Sequence, residues 1–211
     1  MTAGVIASTI VGIARLIAGA EARWLGCAPS SRQRIYLANH TSHVDFVVLW
    51  AALPREARVL TRPVAGGDYW ERSPLRRYLA VNVFHAVLVD RDGHHDREAK
   101  IMNAQRTVAL TAEALAARHS LIIFPEGTRG SGADLAPFKS GLYHLCRRRP
   151  DVELVPTWLD NLHRILPKGE VLPVPLRGSV TFGTPLSLEP GEPKGDFLAR
   201  ARNALLSLRR A

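Results

Sequence analysis

The sequence predicts a single α/β domain: a mixed, largely parallel sheet flanked by helices, with an amphipathic helix at its N-terminus. Three observations lead there. From residue 34 onward, short apolar runs alternate with helix-period patterns, the order that a parallel sheet with crossover helices requires. A chain of 211 residues, 46% of them hydrophobic, can close one full core. No internal repeat or low-complexity tract interrupts the pattern.

The leader, MTAGVIASTIVGIARLIAGAEARWLG, is uncharged until Arg15, short of the ~20 apolar residues a spanning helix needs. As a helix it sets Ile6, Ile10, Ile13 and Ile17 in a narrow stripe with Arg15 opposite. The expectation is a helix lying in a membrane surface over residues 1–26, followed by one domain over 27–211. A helix docked on the protein's own core is the alternative. No basic region precedes the apolar part, as a signal peptide would require.

RIYLANH reads as a strand, SHVDFVVLWAAL as a helix, ARVLTR as a strand and YWERSPLRRYLAV as a short helix. HAVLVD is the next strand. A long helix follows from about Asp96 to His119, with Ile101, Val108, Ala112 and Leu115 on one side. SLIIFPEG is a strand entering a turn, FKSGLYHLCRR a helix and VELVPTW a strand. After proline-rich connections come a strand near GSVTFG and a C-terminal helix with Phe197, Ala201, Leu205 and Leu208 on one side.

In such folds, sites form where loops leave the C-terminal ends of the strands. NHTSHVD, residues 39–45, lies at one such end. On a continuous helix His40 and Asp45 would point about 140° apart. Ser42 and Asp45 instead fit the S-x-x-D capping box, which puts His40 in the turn and Asp45 in the first helical turn. A carboxylate on one imidazole nitrogen leaves the other as a base. The same residues also suit a plain turn and cap. His43 is a reserve base.

A metal centre is a further reading. The order His40, His43, Asp45 is distantly similar to the H-x-H-x-D-H pattern of metallo-β-lactamase-like hydrolases. Here the first spacing is one residue too long and Phe46 replaces the last histidine. GHHD, residues 93–96, reads as a solvated loop.

The second stretch is FPEGTRG, residues 124–130. Pro125 stops the strand, Gly127 lets backbone amides approach a ligand, and Arg129 offers a planar fork for phosphate. PFKSG brings Lys139 to the head of another helix. This is not a Walker loop, because G-x-x-x-x-G-K-[ST] is absent. The third stretch is VLVDRD, where Arg91 ends an apolar strand at the same expected edge; a surface ion pair is its other use.

The formal net charge of +9 draws the chain toward anionic partners. RRY near residue 76 and RRR at 147–149 allow a non-enzymatic basic module bound to membrane or nucleic acid. No aromatic-interleaved RNA motif or helix-turn-helix spacing supports nucleic acid. Cys27 and Cys146 form neither a disulfide framework nor a zinc spacing, and no G-x-S-x-G elbow is present.

Taken together, the three stretches resemble the glycerolipid acyltransferase family, in particular 1-acylglycerol-3-phosphate acyltransferases. NHTSHVD matches the N-H-x-S-x-x-D block, VLVDR resembles the second block ending in Arg91, and FPEGTRG matches P-E-G-T-R. LVPTW, with Val155 and Pro156, resembles the fourth block. The blocks stand in the family's order over residues 39–156. One position departs, since His85 stands where the family usually has glycine.

The resemblance implies acyl transfer from a thioester of coenzyme A or acyl carrier protein to the free hydroxyl of 1-acylglycerol-3-phosphate, giving phosphatidic acid. Another lysophospholipid or glycerol phosphate is the neighbouring alternative. His40 would be the base and Asp45 its orienter, with no bound cofactor and no metal. Arg91, Glu126, Gly127, Thr128, Arg129 and Lys139 would meet the acceptor, Glu126 either by contact or by buttressing an arginine. The expected place is the cytoplasmic face of the cell membrane, on an anionic lipid surface.

Overall fold

The chain is described by a computed structural model over residues 2–18, 21–42, 45–90, 96–130, 134–160 and 178–210. Its strands are β1 (Glu21–Trp24), β2 (Arg34–Ala38), β3 (Thr61–Gly66), β4 (Val87–Val89), β5 (Ser120–Ile123), β6 (Glu153–Asp160) and β7 (Ser179–Phe182). They form one sheet in the order β1-β7-β6-β2-β5-β3-β4. Every pairing is parallel except β6 with β7. The expected mixed, largely parallel sheet is what the chain builds.

The helices are α1 (Ala3–Ala18), α2 (Asp45–Ala52), α3 (Arg55–Leu60), α4 (Gly67–Trp70), α5 (Pro74–Tyr78), α6 (Arg97–Ala116), α7 (Gly141–Arg148) and α8 (Lys194–Ser207). α5 runs straight into a π-helical turn, Leu79–Val83. The central strand β2 is buried at all five residues, which explains its unbroken apolar run, because both faces of the sheet are covered. Tyr36 and Ala38 meet α1, α2 and the π turn on one face; Ile35 and Leu37 meet α6, α7 and α8 on the other.

The C-terminal helix buries Phe197, Ala201 and Leu205 completely, at the spacing of one helical stripe. The stripe on α6 is partly displaced. Val108 and Leu115 are buried, but Ile101 is 49% exposed because the first turns of α6 overhang the core.

Two expectations are corrected. ARVLTR is not a strand: residues 55–60 are helical and the strand starts at Thr61, where Thr61 Oγ1 donates to Ala57 O at 2.7 Å. Pro63 and Gly66 disguised β3. Pro63 is the last β3 residue in register with β5, and β4 pairs from Val64 onward, so its missing donor falls where the strand changes partners.

The leader is also more than one helix. α1 ends by residue 18, and residues 21–24 are the edge strand β1, parallel to β7, with the Trp24 and Phe182 rings stacked at 3.8 Å. The boundary expected at residue 26 therefore falls beyond a strand that already belongs to the sheet. Ile6, Ile10, Val11 and Ala14 of α1 pack on the core, while Ile13 stands 50% exposed. Among the described residues no helix is long and apolar enough to cross a membrane.

Candidate active site

β2 and β5 pair in parallel with Leu37 opposite Ile123. Three residues beyond each lie His40 and Glu126, so the register itself delivers the two turns side by side. Both main-chain groups of His40 are held by the neighbouring turn. Its N–H donates to Glu126 Oε1 at 2.9 Å, and its carbonyl accepts from Gly130 N at 2.8 Å.

The imidazole is fixed as firmly. Nδ1 lies 2.9 Å from Asp45 Oδ2, and the ring stacks on Phe124 with centroids 4.2 Å apart. With Nδ1 engaged by the carboxylate, Nε2 is the nitrogen left for a reacting proton. The side chain keeps 14% exposure, whereas that of Asp45 has none.

Asp45 Oδ2 also accepts from Thr41 N at 2.6 Å and Ser42 N at 2.8 Å. One oxygen therefore holds two main-chain amides of the turn and the imidazole together. Those bonds bring Asp45 back over the turn to His40, against the divergence a continuous helix would impose.

Glu126 is only 4% exposed, and its second oxygen accepts from Ala136 N at 3.0 Å. With both oxygens on main-chain donors, it staples the 134–136 segment to the His40 turn. Glu126 thereby positions the turn, a use beyond the acceptor contact or arginine buttressing expected of it. Gly127 adopts φ +73°, a backbone state that side chains disfavour. A Cβ there would stand 2.9 Å from Lys139 Cε. Lys139 N in turn donates to Pro125 O at 2.8 Å, which sets Lys139 over the turn.

Thr128, Arg129 and Lys139 are exposed at this edge. Arg91, His43, His94 and His95 lie outside the described residues. Among the described residues no three His, Cys, Asp or Glu side chains converge as a metal site would need. Cys146 lies in the core, where burial pushes its thiol up to about 12; burial also raises the Cys27 thiol.

Two contributors escaped the sequence reading. Asn39 extends the β2–β6 ladder with its side chain, Nδ2 donating to Leu159 O at 2.9 Å and Oδ1 accepting from Leu159 N at 2.8 Å. It anchors the residue just before His40. Phe124 supplies the stacking wall. An amide residue at a strand end and the parallel register were the available signals.

The arrangement can hold an imidazole in one orientation, take a proton at Nε2 and stabilise the imidazolium. The family model described as Acyltransferase matches residues 25–160. The chain is similar to the 1-acyl-sn-glycerol-3-phosphate acyltransferase of Limnanthes douglasii, 32% identical over 170 residues, covering 79% of this chain and 56% of that protein. It is also similar to those of Limnanthes alba, 32% identical with 72% and 50% covered, and Cocos nucifera, 32% identical with 65% and 43% covered. The chain thus spans about half the length of the curated relatives it matches. Among solved structures, the 1-acyl-sn-glycerophosphate acyltransferase PlsC of Thermotoga maritima shares the fold. Its TM-score is 0.72 at 16% identity, over 99% of this chain and 80% of that one. With that fold, the matched residues 25–160 and the His40–Asp45 pair inside them, the chain belongs to the acyltransferase family.

Proposed function

We propose that this chain moves a fatty acyl group from a thioester to the free hydroxyl of 1-acylglycerol-3-phosphate, giving phosphatidic acid. The observation that carries the reading is the His40–Asp45 pair, 2.9 Å apart at the C-terminal edge of the sheet and stitched to the 126–130 turn. The names of the relatives supply the acceptor.

His40 Nε2 takes the hydroxyl proton as the acceptor oxygen attacks the thioester carbonyl. The tetrahedral intermediate then collapses, the C–S bond breaks, and the leaving thiolate recovers the proton from the imidazolium. Asp45 holds the ring through both steps. No acyl-enzyme is needed, in keeping with Cys146 being buried in the core. Arg129, with Arg91 assigned by its motif, holds the acceptor phosphate, helped by the open backbone at Gly127, by Thr128 and by Lys139.

The donor is the thioester of coenzyme A or of acyl carrier protein; both are acidic and suit a chain of net charge +9. The protein works without a bound cofactor, peripherally on the cytoplasmic face of the membrane. The test offers labelled acyl-coenzyme A and acyl carrier protein with lysophosphatidic acid, other lysophospholipids, glycerol phosphate and monoacylglycerol. Preferred acylation of lysophosphatidic acid is expected. Equal use of monoacylglycerol would remove the phosphate assignment, and preferred use of another phosphorylated acceptor would replace the substrate.

A further inference from the structure

We propose that the cleft between α4 and α6, above the C-terminal ends of β3 and β4, binds the phosphopantetheine arm that coenzyme A and acyl carrier protein share. This rests on the acyl transfer proposed above and names where its donor is held. The cleft encloses about 600 Å³, within the range of small-molecule sites. It is separate from the His40 and Glu126 turns, since none of its lining residues belongs to either.

Its position fits the length of the arm. β2, β5, β3 and β4 are parallel neighbours in that order, so their C-terminal ends share one edge of the sheet. His40 follows the end of β2, whereas Val89 and Asp90 in the cleft wall mark the end of β4. Three strand spacings separate those ends, about 14 Å. The acceptor does not bridge that span, because its phosphate and its reacting hydroxyl sit on neighbouring carbons. The arm does. From phosphate oxygen to sulfur its chain is as long as about four extended residues, ~13–14 Å. With the thioester at His40, the phosphate end falls at the cleft.

The lining matches the arm's chemistry. Leu88, Val89 and Leu110 give an apolar floor for its dimethyl group and methylenes. Asn103 and Thr107 offer partners for its amides and hydroxyl. Asn103 is held in place by donating from Nδ2 to Asp90 O at 3.0 Å, which spends one of its two N–H groups. Arg72 and Arg106 line the cleft and are exposed, so they stand at its rim, where a terminal phosphate meets guanidinium groups.

The acids decide against other occupants. Asp68, Glu71 and Asp90 line the same cleft, so neither sign of charge prevails. A compact polyanion gains little from such a wall. A fatty chain would strip water from five charged side chains. A neutral amide chain ending in one phosphate uses both halves, since carboxylates accept from its N–H and O–H groups while arginines hold the phosphate.

The test is calorimetric titration of the full chain with phosphopantetheine, pantetheine, coenzyme A, and acyl carrier protein with and without its arm. None of these carries an acyl group, so binding is read without turnover. The wild type should bind phosphopantetheine, and more tightly than pantetheine. Thr107→Phe, which fills the cleft, should weaken phosphopantetheine at least about tenfold. Arg106→Ala, a change at an exposed side chain, should weaken phosphopantetheine about tenfold and pantetheine far less. In turnover, Thr107→Phe should lower kcat/KM at least about tenfold more for acyl-coenzyme A or acyl carrier protein than for the acyl thioester of N-acetylcysteamine, which lacks the outer arm. A loss confined to coenzyme A or to the armed carrier protein would support the cleft and name the donor's source. Absent binding of phosphopantetheine to the wild type, undiminished binding by Thr107→Phe, or equal weakening of both small ligands by Arg106→Ala would overturn the site. A protein that binds the arm as described yet acylates no lysophospholipid would sink the proposed activity and support the cleft.

Discussion

Replacing Asp45 with asparagine should damage the fold and the chemistry together, because one oxygen serves both. Asp45 Oδ2 takes donors from Thr41 N, Ser42 N and His40 Nδ1 at 2.6, 2.8 and 2.9 Å. Hydrogen bonds to a charged acceptor contribute roughly 1.5–3 kcal/mol against 0.5–1.5 for neutral pairs. Neutralising the acceptor of the two main-chain bonds therefore costs about 2 kcal/mol. At roughly 2–4 °C per kcal/mol for a domain of this size, Tm should fall by about 4–8 °C.

The asparagine carbonyl would keep all three donors, Nδ1 included, and bury its NH2 where Asp45 Oδ1 meets no hydrogen-bond partner among the described residues. The imidazole would keep its orientation but lose the carboxylate charge that stabilises its protonated form. Turnover should fall on the order of 10²-fold or more. Calorimetry and kcat/KM on the same preparation measure both effects. Lost activity at unchanged Tm would show that the carboxylate does not hold the turn. A lowered Tm with kcat/KM preserved would show that no proton passes through His40.

Glu126→Gln should lower kcat with little change in acceptor KM, and should cost about 1–3 kcal/mol, because an amide NH2 would face a main-chain donor; a rise in KM alone would return Glu126 to acceptor binding. His85 has φ +49°, which accounts for the glycine usual at this place in the family. His85→Gly should raise Tm slightly, since about 1–2 kcal/mol of backbone strain outweighs roughly 0.5–1 kcal/mol of added flexibility; a fall in Tm would contradict this. Glu192 is held below its ordinary 4.5 by hydrogen bonds from Arg200. A depressed carboxyl contributes stability above 4.5 that is lost as pH falls through its folded value. Arg200→Ala should therefore lower Tm at neutral pH, and the gap from wild type should close in acid; a gap constant with pH would place the cost in packing.

The sheet and its site edge were legible because apolar runs and turns recur in a regular order, and the His40–Asp45 spacing makes sense only at a capped turn. What stayed hidden was set by partners distant in sequence. β3 contains Pro63 and is a strand because β5 and β4 flank it. β1 is a strand because β7 offers it an edge. Glu126 read as a ligand-facing acid, since no local pattern shows that His40 N and Ala136 N will occupy its oxygens. Which side of α1 meets the core stayed hidden, because the packing that selects it belongs to α2 and the π turn.

The most direct measurement is kcat/KM for transfer from acyl-coenzyme A or acyl carrier protein to lysophosphatidic acid by wild type and His40→Ala. The ties from His40 to the 126–130 turn are main-chain bonds, so alanine keeps them and the protein should stay folded, with Tm lowered by the lost Asp45 bond and Phe124 stack. Activity should fall by about 10²-fold or more through loss of the base. Turnover by His40→Ala close to that of the wild type, in a folded protein, would contradict the assignment of His40 as the group that takes the acceptor's proton.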